Sequence, residues 1–305
     1  MPAVLERARA LRRGAAQTVS RLFPMRVPSA PTTCSPPRIE PAEVSPQPAD
    51  GAHSWWGLMP FSTHRIRVGE DLWTRESGVV AEHDLRTKVL LEACGGHLDG
   101  KTIVDLGCLE GGFSVAFARL GARQVVGIEA REVSFQRCEI IRKLLSLKNL
   151  EFVHGDVKAE LTRLARFDVV FASGILYHVS DPYSLLELIH QTCREVALLD
   201  THVARSDAPS HNCSTELIAR SFRGREHLGR IFPEYPLGVS SEQRETLHWA
   251  AWSNNESFWP LEDELRRMLR DVGFRTVKKV DAPSTADGWR WQVDQQNRIL
   301  LVCRP

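Results

Sequence analysis

The chain is 305 residues long, 43% hydrophobic and 25% charged, with a formal net charge of +1. That is room for one large domain or two small ones, and a near-neutral chain exerts no global pull toward nucleic acid or a membrane. Seven scattered cysteines without a C-x-x-C pair argue against a disulfide framework or a zinc site and fit a reducing cytoplasm. No apolar run approaches the roughly 18 residues of a transmembrane helix.

Residues 1–53 read as a basic, proline-rich tail. Eight of the 17 prolines fall between Pro24 and Pro48, and such chain lacks the apolar groups that offset ordering entropy. Ahead of them Val4, Leu11, Ala15, Val19 and Leu22 share a helical face beside several arginines. That pattern suits a peripheral membrane-surface helix, a transit segment or a frayed basic tail. Residues 54–99 are a flanking segment that begins with "SWWGLMPF" (54–61). From residue 100, short β-branched runs alternate with helix-period runs. Strands are expected at 102–107, 124–130, 150–156, 167–175 and 195–203. Helices are expected at 112–120, 133–147, 158–165 and 182–192, the last with Asp181 as N-cap and Pro182 in its first turn. This alternation predicts an α/β fold, a doubly wound Rossmann-like sheet with helices on both faces, over 100–205. Residues 206–260 interrupt the core and are expected to cap its ligand-bearing edge. Their Arg220, Arg223, Arg225, Arg230 and His227 either draw in an anionic substrate or form an ordinary solvated face. An amphipathic helix over 261–274, with strands near 275–281 and 297–303, completes the core at 261–305. All eight tryptophans lie outside 100–205, which assigns the bulky aromatics to flanks that pack over the sheet.

The first strand-to-helix turn, "IVDLGCLEGGFS", holds Gly107, Gly111 and Gly112 but not G-x-G-x-x-G, because Leu109 stands where the second glycine belongs. Acids end the first three strands: Asp105, Glu129 and Asp156. An open parallel sheet binds ligands at the carboxyl ends of its strands, and an acid ending the second strand suits two ribose hydroxyls. A nucleoside ligand without a pyrophosphate matches this set better than a dinucleotide.

"VDLGCLEGGFS", "VVGIEAR", "FVHGDV" and "FDVVFASGILYHVSDPYSLL" together resemble the class I S-adenosylmethionine-dependent methyltransferases. "GILYHVSDP" is similar to a subgroup that includes the wobble-uridine carboxymethyltransferases of transfer RNA. The resemblance implies a seven-stranded sheet whose last strand is antiparallel, with S-adenosylmethionine as cofactor. It implies that Asp105, Gly107 and Gly111 lie along the methionine moiety and that Glu129 binds the ribose, with Cys108 and Ala130 also at the cofactor. Asp156 and Val157 fall at the adenine, with Ser173 and Tyr177 beyond the fourth strand. Asp105 is expected at the cofactor ammonium, and the amides around Glu110–Gly112 at its carboxylate.

The acceptor side is read from the ends of the fourth and fifth strands. His178 and His202 are the candidate catalytic residues, each weighed against a structural role, and Thr201, Trp252 and Trp259 are candidates for the acceptor pocket. His178, Asp181 and His202 are too few to define a metal site. The reading is a cytoplasmic methyltransferase acting on an O, N or C atom, with a small-molecule acceptor favoured over nucleic acid. Its rivals are a non-catalytic cofactor-binding module, a carboxymethyltransferase and a nicotinamide-dependent oxidoreductase.

Overall fold

The structure is a computed structural model that describes residues 63–207, 213–236, 238–281 and 297–305. The tail at 1–53, the "SWWGLMPF" stretch, Trp289 and Trp291 lie outside the described residues. The described chain opens with an irregular segment, a single helical turn at Ala81–His83 and helix α1 (Leu85–Ala93).

Five strands and four helices then alternate: β1 (Thr102–Leu106), α2 (Gly112–Arg119), β2 (Gln124–Glu129), α3 (Glu132–Leu145), β3 (Leu150–His154), α4 (Val157–Leu161), β4 (Phe167–Ser173), α5 (Pro182–Thr192) and β5 (Cys193–His202). After the inserted segment come α7 (Glu262–Asp271), β9 (Thr276–Lys279) and β10 (Arg298–Arg304). The sheet order is β3-β2-β1-β4-β5-β10-β9. β1 to β5 are parallel, and β10 runs antiparallel to both of its neighbours. The expected seven-stranded, mostly parallel sheet with an antiparallel final strand is therefore what forms. Its order reverses between β1 and β4, which opens a crevice at their carboxyl ends.

Alternation along the strands builds two apolar layers. Ile103, Val169, Phe171 and Leu198 face Leu90, Phe117 and Ile141 of α1, α2 and α3. Val104, Val170 and Leu199 face Leu186, Ile189, Leu265 and Met268 of α5 and α7. Each fully buried aliphatic or aromatic side chain contributes about 1.5–3 kcal/mol, so both faces of the sheet need their helices. Local signals fix the helix starts. Asp156 Oδ1 accepts the N–H groups of Lys158 and Ala159, and Asp181 Oδ1 accepts that of Ser184 ahead of Pro182.

The segment between β5 and α7 forms its own three-stranded antiparallel sheet, β6 (Ile218–Phe222), β7 (Arg225–Pro233) and β8 (Glu256–Pro260), with the short helix α6 (Ser241–Thr246) before β8. Its basic residues do not form an anion-attracting cluster. Arg220 pairs with Glu256, Arg223 with Glu187, Arg225 with Asp271 and buried His227 with Glu264. The Arg230 guanidinium is spent on the carbonyls of Arg205, Ser214 and Thr215.

Candidate active site

The carboxyl ends of β1, β2 and β4 open into a cavity of about 350 Å³. The turn after β1 supplies one wall. Gly107, Leu109 and Gly111 all adopt positive φ (66°, 55° and 77°), so the turn needs the left-handed region three times, once without a glycine. A Cβ on Gly111 would come within 2.6 Å of the Phe152 ring, so its glycine serves close packing; Gly111 does not line the cavity.

Glu129 ends β2 almost fully buried. One carboxylate oxygen accepts the Leu109 N–H at 2.9 Å and the other the Arg131 N–H at 2.8 Å. Burial pushes this carboxyl up, opposed by those two amides. Each oxygen keeps acceptor capacity toward the cavity. Asp105 lies across from it, buried, with Oδ2 accepting the Ser114 hydroxyl at 2.6 Å. Burial raises its carboxyl to about 7, Ser114 opposes the rise and Glu129 adds to it.

Two of the amides expected to meet a ligand carboxylate are occupied. Gly111 donates to the Cys108 carbonyl at 2.9 Å, and Gly112 donates to His64 Nδ1 at 3.1 Å. His64 is buried and uncharged, its pKa lowered to about 4 by burial. Glu110 turns inward as well, accepting the N–H groups of Thr63 and His64 and pairing with Arg137 at 2.7 Å. The upstream segment thus closes over the first turn through side-chain bonds that no local pattern announces.

Cys108, Ala130, Asp156, Val157, Ser173, Tyr177 and His178 line the same cavity, as do Trp249 and Trp252 from the inserted segment. His202, Thr201 and Trp259 do not. His202 stacks on the Trp259 ring at 4.9 Å and meets Tyr177 edge-on, and Thr201 is buried in β5 opposite Ile299. Trp259 is buried behind the wall, where its indole N–H donates to the Tyr177 carbonyl at 2.8 Å. These three, expected at the acceptor, pack beside the cavity instead of lining it: the His202, Trp259 and Phe232 rings stack on each other there and brace the wall.

The structure adds residues the sequence reading missed. Arg86 of α1 and Arg298 of β10 line the cavity around Tyr177. Asp84 binds Arg86 through both oxygens at 2.7 and 2.9 Å. Asp200, fully buried in β5, holds Arg298 at 2.6 and 2.7 Å, Arg86 at 3.1 Å and the Ser173 hydroxyl at 2.8 Å. Burial raises the Asp200 carboxyl, but Arg298 and Arg86 more than reverse this and leave it at about 2. The signal was present as charges set inside apolar strands, "ALLDTH" and "RILLV", where an unpaired charge is prohibitive. Arg131, two residues past Glu129, donates to the carbonyls of Leu247, Ala250 and Ala251 at 3.0, 2.8 and 3.2 Å and so holds the strap that carries Trp249 and Trp252. Among the described residues no group of acids, histidines and cysteines can hold a metal ion, and no helix is long and apolar enough to cross a membrane.

Comparison with known proteins agrees with this geometry. A ubiquinone biosynthesis O-methyltransferase of Ruegeria pomeroyi is 24% identical over 276 residues, covering 88% of this chain and 98% of that protein. A tRNA U34 carboxymethyltransferase of Haemophilus influenzae is 36% identical over 85 residues, only 28% of this chain and 26% of its own length. The fold matches the N-terminal domain of EvdMO1, solved in the presence of SAH and D-fucose, with a TM-score of 0.60 and 20% identity over 82% of this chain and 93% of that one. Residues 97–256, about half of the sequence, match the methyltransferase domain family. The chain belongs to that family and is an S-adenosylmethionine-dependent methyltransferase.

Proposed function

We propose that the chain transfers a methyl group to a hydroxyl of a small molecule, with S-adenosylmethionine bound along the first turn and Glu129 as its ribose acceptor. The observation that carries the cofactor assignment is the Glu129 carboxylate. It is buried, its two oxygens are aimed by separate backbone amides, and both retain lone pairs at the cavity. A vicinal diol offers two O–H donors at a fixed spacing, one for each carboxylate oxygen, and each such bond is charge-assisted. Asp105 suits the cofactor ammonium, and Asp156 with Val157 suits the adenine edge. When bound, the cofactor supplies a methyl on a sulfonium sulfur, which keeps the bonding pair as the acceptor atom takes the carbon.

This chain's own residues orient, exclude water and receive a proton. The 247–254 strap and Tyr177 close the crevice, and alignment in such a site can supply roughly 7–11 kcal/mol of the barrier. His178 lines the cavity and is the proposed base for the acceptor hydroxyl, worth about 10²–10⁴-fold. A small hydroxylic acceptor is favoured by a cavity of only about 350 Å³ and by the near full-length likeness to an O-methyltransferase. Carboxymethyl transfer is the less favoured reading, because Arg86 and Arg298 are already engaged by Asp84 and Asp200.

The test incubates the protein with methyl-labelled cofactor and fractionated cell extract and identifies the labelled product by mass. A methylated small hydroxyl compound is expected. Label confined to RNA or protein, or a carboxymethyl mass increment, would overturn the proposal.

A further inference from the structure

The inserted sheet grips the turn that carries His178. The Phe258 N–H donates to the Val179 carbonyl at 3.0 Å, and the Trp259 indole donates to the Tyr177 carbonyl. Between these two anchors His178 Nδ1 lies 3.0 and 3.1 Å from the two oxygens of Glu234, the residue that follows β7. Three consecutive residues of the turn are thus fixed by β8 and by the residue that follows β7.

The Glu234 side chain is fully shielded from solvent. It also accepts the Ala251 N–H at 2.7 Å and the Ser257 hydroxyl. A buried carboxylate is tolerated only when its lone pairs are met by donors, and these donors come from the turn, the strap and β8 together. The same carboxylate therefore holds both the ring that faces the cavity and the strap that covers it.

We infer that Glu234 is a positioning residue: it holds the proton on His178 Nδ1, leaves Nε2 bare toward the cavity as the proton acceptor, and ties that state to closure of the 247–254 strap. The inference rests on the assignment of His178 as base. The acceptor hydroxyl loses its proton to Nε2, the oxygen keeps the O–H electron pair for the bond it forms, and the resulting imidazolium is balanced by the Glu234 carboxylate. A histidine with no such partner distributes its proton between both nitrogens, and the useful lone pair is lost for part of the time.

The tautomer is measurable without an acceptor. Long-range ¹H–¹⁵N correlation spectra of the full-length protein, with the His178 signals identified by their loss in His178→Gln, should show Nδ1 protonated and Nε2 bare in the neutral ring. Glu234→Gln, which keeps an acceptor oxygen, should preserve that tautomer. Glu234→Ala should move the ring toward the Nε2–H form and speed exchange of the Ala251 amide by about tenfold or more. Once the acceptor is known, kcat should fall about 10²-fold or more in Glu234→Ala with the KM for cofactor held within about twofold. A wild-type His178 found as the Nε2–H tautomer overturns the inference, and this reading stands even if Glu234→Ala fails to fold. Calorimetric titration with S-adenosylhomocysteine separates the two levels: absent binding to the wild type defeats the cofactor assignment, whereas normal binding with the wrong tautomer defeats only the role of Glu234.

Discussion

Glu129 accepts the backbone N–H of Leu109 at 2.9 Å, so the acid ending the second strand is held by a residue in the left-handed region of the first turn. The missing glycine of this turn is therefore a side chain tolerated at φ 55°, and its amide does the orienting. Glu129→Ala should weaken S-adenosylhomocysteine binding by roughly 10²-fold or more, since charge-assisted bonds contribute about 1.5–3 kcal/mol each. Calorimetric titration beside a melting curve tests this, and an unchanged Kd in a folded variant would remove Glu129 from the cofactor site.

Burial raises Asp105 to about 7, opposed by its bond to Ser114 and reinforced by Glu129, so it is partly protonated at neutral pH. A cationic ligand group favours its ionised form, so cofactor binding at pH 7 should release a fraction of a proton. His64 is already uncharged there and contributes none. Calorimetry in buffers of different ionisation enthalpy measures the release, and Asp105→Asn should abolish it. An identical heat in every buffer for the wild type would mean that Asp105 meets no cation.

Asp200 and Asp105 should pull acid stability in opposite directions. The folded Asp200 pKa of about 2 lies below the ordinary 3.8, so its stabilisation is complete above about pH 4 and is lost as pH falls through 2. It amounts to about 2 kcal/mol, at 1.36 kcal/mol per pH unit of displacement. The folded Asp105 pKa lies above 3.8, so its contribution is complete below about pH 4 and is lost as pH rises through 7. His64, lowered by burial to about 4, contributes the opposite slope over the same range, so Asp105→Asn should make stability rise more steeply between pH 4 and 7 than it does in the wild type. Asp200→Asn should lower stability at pH 7 by about 3–5 kcal/mol, because Arg86 and Arg298 lose their shared partner. Denaturant midpoints across the pH series check both variants.

Arg131→Lys should loosen the strap. An ammonium cannot span the carbonyls of Leu247, Ala250 and Ala251 that the guanidinium holds together. Hydrogen exchange at residues 248–254 should accelerate by about tenfold or more while exchange in β1 and β4 stays unchanged. Uniform acceleration across the sheet would indicate global destabilisation instead.

His178→Ala and His202→Ala should now separate. His178 lines the cavity, whereas His202 is stacked on Trp259. Turnover with the identified acceptor should fall about 10²-fold or more in the first. The second should cost mainly stability, about 1–3 kcal/mol by thermal unfolding, with turnover near that of the wild type. Equal losses of turnover would return His202 to the chemistry.

The sequence by itself determined the sheet, the helix starts and the acids at the strand ends. Each is local: β-branched runs of four to ten residues, an Asp before a proline, an acid where a strand meets a glycine-bearing turn. Tertiary structure alone decided what those groups meet. In the Asp84–Arg86–Asp200–Arg298 chain the Arg86–Asp200 pair spans 114 positions, and the His178–Glu234 pair spans 56. No periodicity reports such a pairing, because a buried charge signals only that a partner exists and not which one. The same reason explains the Gly112 amide of the first turn, taken by His64 once the chain upstream folds back over it. Tryptophan placement in the flanks was legible as bulk. Which ring covers the cavity, Trp252, and which braces it from behind, Trp259, depended on packing that only the folded chain supplies.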